Sequence, residues 1–367
     1  MRPSVQANPC STRPYDVTIM HASAPDIVAT NRPAPSWREA VGRSHRAHLG
    51  HAPEWCAVIA RAYGHEPLYL AAAAEDGSTG VLPAFVVRRP LFGTVVTSMP
   101  FLDSGGPCST SPALDALLVE RLVEEARQRG AQLVELRCSD RLAIDAQPLE
   151  TKVNMTLPLC DADALWRRFD KTVRNQIRKA ERSGLAVVAG DTASLASFYD
   201  TFVERMRDLG SPVHALGFLQ QVFEAFGSRA RLLLVKKDGA TIGGLVGLAF
   251  NDRFVVPWAT CRKEYFAFCP NMLLYWETIR RACADGFTRF EFGRSTRLSG
   301  TYMFKRQWGA QEEPLFWYRI PVAARRTASP SPSSHGAGSD LLARMWQHLP
   351  LAVTRRVGPH VRKYLIQ

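Results

Sequence analysis

The 367-residue sequence has no long apolar run. Its longest, around Ile242–Phe250 and Val81–Val87, fall well short of the roughly 18 residues a membrane-spanning helix needs. The opening MRPSVQANPCSTRP lacks an apolar core, so no secretory signal is expected and the chain reads as cytoplasmic. Cysteines stand at 10, 56, 108, 138, 160, 261, 269 and 283, never as C-x-x-C and too sparsely for a disulfide scaffold. Reduced, mostly buried thiols are therefore expected. No G-x-S-x-G, Walker A or H-E-x-x-H occurs, so the local signatures of those hydrolases and nucleotide-binding proteins are missing. His45, His48 and His51 recur every three residues near Cys56, but Gly50 and Pro53 interrupt a common helical face, and no metal site is expected. Acidic residues are also in short supply, with 34 Asp and Glu against 46 Lys and Arg, a net charge of +12. That balance favours an anionic partner such as phosphate, nucleic acid or a membrane face. Half of the excess lies beyond Arg325, where only Asp340 opposes Arg325, Arg326, Arg344, Arg355, Arg356, Arg362 and Lys363.

What is present is an ordinary globular composition, 46% hydrophobic and 22% charged, over a length that suggests two domains. Residues 1–35 are rich in Pro, Ser and Ala without a period and read as a disordered lead-in. Helical patterns in SWREAVGRSHRAHL and APEWCAVIARAYG precede strand-like PLYLAAAA, GSTGVLPAFVVRR and GTVVTSMP. The amphipathic ALDALLVERLVEEARQRG and the strand AQLVELR follow. The second half repeats this order. A basic helical stretch, DALWRRFDKTVRNQIRKAERSG, leads to LAVVAG and two helices. Three strands joined by Asp238-Gly239 and Asn251-Asp252 then suggest an antiparallel meander. The helix PNMLLYWETIRRACADG and the strands FTRFEFGRS and PLFWYRI complete it. The expected division is a first α/β module over 36–155, a second over 156–322, a Ser/Pro/Gly linker over 323–340 and a basic amphipathic tail over 341–367. The tail mixes Leu, Trp and Tyr with Arg and Lys, a pattern suited to an anionic lipid face or to packing on the body.

Asp103-Ser104-Gly105-Gly106-Pro107 imitates a serine-protease motif, but the histidine setting and all-β context that chemistry needs are absent. A Gly-rich turn reaching a ligand or the other domain is the better reading. In the basic stretch, Lys171, Arg174, Arg178 and Arg182 recur at three- and four-residue steps, a cationic face suited to pyrophosphate, with Asn175 as a neutral donor. In EFGRSTRLSGTYMFKRQWGA, Gly293 and Gly300 permit close backbone approach, while Arg294 and Lys305 suit developing negative charge beside Ser295 and Tyr302.

Taken in order, K-x-x-R-N-x-I-R-K-A-E-R-x-G-L, P-N-x-L-L-Y-W, F-x-F-G-R-S and G-T-Y-x-F-K-x-x-W-G-A resemble the FemAB group of acyltransferases, especially members associated with exosortase/PEP-CTERM exopolysaccharide systems. The resemblance spans roughly residues 37–320. It implies an α/β (α+β) fold of two tandem GNAT-like domains with mixed, largely antiparallel sheets flanked by helices, the second similar to a BioF2-like acetyltransferase domain. It implies N-acyl transfer to an amine of a peptidoglycan, cell-envelope or exopolysaccharide precursor, without a bound cofactor. Aminoacyl-tRNA or acyl-CoA would serve as the donor co-substrate. Lys305 would sit at the transfer centre; independently of the resemblance, Asp103 and Glu291 are the carboxylates expected to accept the amine proton. Lys171, Arg174, Asn175 and Arg178 would face phosphate, and Asn271, Tyr275, Arg294, Ser295, Tyr302, Phe304 and Trp308 would complete the substrate site. The implied partners are a nucleotide-linked or lipid-linked glycan or peptide precursor and tRNA; the composition of 341–367, outside the resemblance, separately suggests peripheral contact with the anionic inner face of the cytoplasmic membrane. Two features depart from relatives of this kind: there is no long coiled-coil arm and no Q/R-x-x-G-x-G/A pyrophosphate loop. The alternative is a non-catalytic scaffold binding a nucleotide-linked glycan or membrane-associated exopolysaccharide machinery.

Overall fold

Two seven-stranded sheets organise the chain in a computed structural model that describes residues 25–90, 92–322 and 337–366. The first part of the chain supplies β1 (Asp26–Thr30), α1 (Trp37–Arg43), α2 (Glu54–Tyr63), β2 (Glu66–Ala73), β3 (Thr79–Arg89), β4 (Gly93–Thr97), β5 (Cys108–Ser109), α3 (Pro112–Gln128) and β6 (Leu133–Cys138). The second supplies β7 (Lys152–Pro158), α4 (Ala162–Arg168), α5 (Lys171–Arg182), β8 (Leu185–Gly190), α6 (Leu195–Asp208), α7 (Leu216–Phe226), β9 (Ala230–Lys237), β10 (Ala240–Phe250) and β11 (Arg253–Cys261). It continues with α8 (Pro270–Ala284), β12 (Arg289–Thr296), α9 (Gly300–Arg306) and β13 (Gln311–Pro314). β14 (Phe316–Pro321), α10 (Ala337–Gln347) and α11 (Leu351–Arg362) follow.

The sheet orders are β1-β2-β3-β4-β6-β14, with β5 beside β3, and β13-β7-β12-β11-β10-β9-β8. Each sheet is antiparallel except for one short parallel pair, β4 with β6 and β11 with β12. The chain thus has the mixed, largely antiparallel α/β fold expected. β3 and β10 are buried over most of their lengths rather than alternating, because helices cover both faces of each sheet.

Several expectations are corrected. Residues 26–30, placed in the lead-in, form β1 against β2. The basic stretch is two helices: Phe169 turns into the core against Trp276 and Trp308, and Asp170 caps α5 by accepting from the Thr172 amide at 2.7 Å. The expected division at 155/156 falls inside β7, which lies wholly in the second sheet. β14 leaves the second unit and pairs with β6 of the first. Residues 1–24 and most of the linker, 323–336, lie outside the described residues. The segment after the linker is helical in α10 and α11, with Gly358 and Pro359 accommodated in α11.

The two modules share apolar contacts as well as a strand. α2 packs on α7, with Trp55 5.0 Å from Phe226 and Tyr63 5.3 Å from Phe218 between ring centroids. Tyr318 in β14 is fully buried, and its hydroxyl oxygen accepts from the Leu142 amide at 2.8 Å. Tyr318→Ala is expected to cost about 3–5 kcal/mol in urea unfolding. Fluorescence and circular dichroism should report one coincident transition, because the modules interlock; separated transitions would show independent folding.

Candidate active site

The parallel pair of the second sheet does not stay paired. β11 and β12 are in register from Arg253–Val255 against Arg289–Glu291 and then part. Both strands are distorted where they diverge. β11 shifts register against β10 between Val246 and Leu248 and carries Pro257, which has no amide hydrogen to give a neighbour. β12 shifts against β7 between Glu291 and Arg294. Gly293 there has φ +76°, and a Cβ would lie 3.2 Å from a carboxylate oxygen of Asp103, so glycine answers both demands. The opening is a cavity of about 60 Å³, lined by His48, Asp103, Asn154, Pro257, Glu291 and Glu313 among others. That space holds a head group of a few atoms, so the bulk of any large substrate must lie outside it.

Backbone groups freed by the divergence are satisfied by two side chains from elsewhere. Asp103 reaches in from the first module: its Oδ2 accepts the Arg294 amide at 2.9 Å, and its Oδ1 lies 3.3 Å from Arg294 Nε. Lys305, on α9, donates to the carbonyls of Gly293 at 2.8 Å and Arg294 at 2.7 Å. Lys305 is buried behind the cavity wall rather than lining it. Burial lowers its pKa to about 8; the nearby Asp103 carboxylate opposes that shift and Arg294 adds to it.

The loop that delivers Asp103 is strained and held from several sides. Met99 and Phe101 adopt positive φ of 44° and 74°, each costing on the order of 1–3 kcal/mol for a non-glycine residue. Phe101 packs 4.9 Å from Tyr63 and 5.2 Å from His214. The fully buried Arg137 guanidinium donates to the Leu102 carbonyl at 2.7 Å. Gly50 abuts the Ser104 carbonyl so closely that a Cβ would come within 1.9 Å of its oxygen. The Asp-Ser-Gly-Gly turn thus serves to reach the other module.

The cavity floor is an ion pair. Glu291 accepts from Arg253 at 2.7 Å and from the Asn154 amide at 3.3 Å. Arg253 also donates to His48 Nδ1 at 3.3 Å. Burial, reinforced by Arg253, lowers the His48 pKa to about 4, so the imidazole is neutral at pH 7 and presents its other nitrogen as a donor. His51 is likewise neutral, lowered to about 4 by burial, and donates to the Gly106 carbonyl at 2.8 Å. Among the described residues, no three His, Cys, Asp or Glu side chains converge as metal ligands. Sequence reasoning missed His48, Asn154, Arg253 and Glu313. The visible signal for His48 was its three-residue spacing, which suggests a metal instead.

Other candidates lie apart from this cavity. Lys171, Asn175 and Arg178 are exposed on α5, and Arg174 is half-buried, while Val173, Ile177 and Ala180 turn inward. None of these four polar residues lines the cavity. Asn271 is half-buried in the first turn of α8. Tyr275 and Trp308 lie in the core, packed with Phe292 and Phe304, and neither lines the cavity between β11 and β12. Burial pushes the Tyr275 hydroxyl pKa upward. Their spacing places aromatic rings between α8, α9 and β12, where removal from water dominates. Tyr302 donates to Glu312, and the buried Ser295 hydroxyl makes no hydrogen bond among the described residues. α9 is capped by Ser299, whose hydroxyl oxygen accepts the Tyr302 amide at 3.3 Å.

Residues 167–306 match the family described as an acetyltransferase (GNAT) domain. The fold is that of FemX, whose crystal structure aligns over 80% of this chain and 97% of its own, with 16% identity and a TM-score of 0.65. A tandem GNAT protein from the clavulanic acid biosynthesis pathway aligns over 82% and 100%, with 10% identity and a TM-score of 0.53. The L-PGS structure from Bacillus licheniformis aligns over 90% and 98%, with 12% identity and a TM-score of 0.50. No curated protein matches the chain.

Because Lys305 titrates below the ordinary lysine value of 10.5, folding stability should rise with pH from about 8 through 10.5 as the unfolded chain alone still binds the proton. Carbon-13 NMR of lysine Cε should show one midpoint near pH 8, assigned by its absence in Lys305→Arg. Asp103→Asn should move it lower, since the carboxylate favours the ammonium. An unshifted midpoint would separate the two groups.

Proposed function

We propose that this protein is a FemAB-like N-acyltransferase, moving an aminoacyl or acyl group to an amine of a cell-envelope or exopolysaccharide precursor. The observation that carries the reading is Asp103 crossing from one module into the gap between β11 and β12 of the other, with Lys305 bonded beneath the same peptide. The matched GNAT domain and the FemX-like fold support acyl transfer as the reaction class.

In this mechanism the amine nitrogen attacks the acyl carbonyl, forming a C–N bond. The tetrahedral oxyanion collapses with cleavage of the C–O bond of an ester or the C–S bond of a thioester. The amine proton leaves through Asp103 and ends on the departing oxygen or sulfur. Lys305 remains mostly an ammonium at pH 7 and has one N–H beyond its two carbonyl bonds, so it favours the oxyanion electrostatically. Both carboxylates are ion-paired, but Glu291 is buried against Arg253 at 2.7 Å, whereas Asp103 is about one-third exposed and 3.3 Å from Arg294 Nε, so Glu291 is the weaker candidate base. The neutral His48 would donate to substrate oxygen at the cavity mouth. The cationic face of α5 would meet a polyanionic part of donor or acceptor, including tRNA or a nucleotide diphosphate.

The scaffold reading draws on one observation: both acidic candidates are ion-paired, as in a purely structural site. Purified protein should be given labelled aminoacyl-tRNA and acyl-CoA separately, with amino-sugar and peptidoglycan-precursor acceptors. Transfer from one donor is expected, and Lys305→Ala should lower kcat more than tenfold while the circular dichroism spectrum is retained. Tight precursor binding with no turnover from either donor would favour the scaffold. Undiminished turnover in Lys305→Ala would remove that residue from the mechanism.

A further inference from the structure

The segment after the linker is anchored on one side and bare on the other. α10 lays Ala343 against Gly210, where the carbonyl oxygen of Ala343 would be 2.7 Å from a Cβ, and Gln347 donates to the Asp208 carbonyl at 3.1 Å. α11 buries Thr354 and Gly358, with Val213 against the glycine, and Arg355 pairs with Asp200 at 2.5 Å. From the last residue of α11 onward the chain is bonded to both modules. His65 Nε2 donates to the Lys363 carbonyl at 2.8 Å, Arg362 Nε meets His214 Nε2 at 3.2 Å, and Arg137 donates to the Ile366 carbonyl.

These contacts fix which residues face outward. Leu341, Leu342 and Met345 are 59%, 68% and 60% exposed, and helical geometry puts them opposite or beside the Ala343–Trp346–Gln347 contact stripe. Val353 and Val357 are exposed on α11, and Leu209 is exposed beside the Gly210 contact. Arg344 and Arg356 stand exposed among them, and residues 341–366 contain no Asp or Glu. A second copy docked face to face would bring these arginines together without a carboxylate in the segment to meet them.

We propose that the outward face of α10 and α11 is a docking surface for an anionic phospholipid bilayer. Leu341, Leu342 and Met345 enter the interfacial layer, and Arg344 and Arg356 meet lipid phosphates. No helix among the described residues is long and apolar enough to cross a membrane, so the contact is peripheral. Because the end of the segment is bonded to Arg137 and His65, docking would hold the cavity in a set orientation to the lipid surface.

Full-length protein should co-sediment with phosphatidylglycerol-containing vesicles at low salt and far less with phosphatidylcholine alone. Leu341→Ser/Leu342→Ser/Met345→Ser should weaken binding by about tenfold or more. Arg344→Gln/Arg356→Gln should weaken it roughly twentyfold at low salt, with a smaller salt dependence. Unchanged thermal unfolding would confirm that these exposed substitutions leave the fold intact. No vesicle binding, equal binding to neutral vesicles, or undiminished binding by the triple serine variant would overturn the proposal, the last moving the contact elsewhere. Concentration-dependent dimerisation abolished by the serine variant would assign the face to a second copy. The readout needs no acyl donor, so its failure is distinct from failure of the transferase reading.

Discussion

β14 leaves the second module and hydrogen-bonds along β6 of the first, and most of the functional geometry depends on that return. With α2 packed on α7, it fixes the modules at two separate places, one in the sheet and one in the helical layer. β14 also reaches the loop that carries Asp103, with Trp317 Nε1 donating to the Asp103 carbonyl at 3.3 Å. Together these contacts let Asp103 meet the Arg294 amide at 2.9 Å from a loop with two left-handed non-glycine residues. Such strain persists only where surrounding contacts over-determine the conformation, and buried Arg137, Phe101 and Gly50 supply them.

The two sheets carry the same device and use it differently. In each, one parallel pair holds for three residues and then separates. In the first, the edge of β6 is taken up by the chain after β4: the Arg137 amide donates to Ser98 Oγ at 2.9 Å and its carbonyl accepts from the Gly105 amide at 2.9 Å. In the second, the gap stays open as a cavity with Asp103 at its side. Parallel strands that diverge leave an unpaired edge able to receive an extended ligand, and here one of the two edges is already occupied by the chain itself. The GNAT family match, over residues 167–306, covers the module whose gap is open.

Local patterns made most elements legible. Asp-Gly and Asn-Asp turns marked the β9–β11 meander, and the 3.6-residue stripes marked α2, α3, α6 and α8. The misses share a physical cause. β7, β13 and β14 gain their place from partners distant in sequence, and no local signal tells KVNMTLP or PLFWYRI which sheet will receive it. Tyr275 and Trp308 are buried, a position the sequence does not reveal because an aromatic ring has the same signature whether it lines a site or fills a core. His48 and Arg253 meet only because the modules dock, which no spacing within either could reveal.

Lys305 is the point where structural and chemical readings must be weighed. As a strut, it satisfies two carbonyls left over where β12 bulges. A strut need not be charged, and burying an ammonium is costly enough to lower its pKa to about 8. A neutral donor or an ordered water would satisfy the same carbonyls at less cost. Nor does an ion pair offset the burial: Asp103, the carboxylate that favours the charge, spends its own hydrogen bonds on Arg294. What remains is a cation held rigidly behind a cavity wall at the junction of two modules. Charge placed before reaction, in a site of low dielectric, stabilises an oxyanion without reorganising when it forms. On the transferase reading proposed above, the expense of the buried ammonium would be met in the transition state, and the carbonyl contacts would aim it.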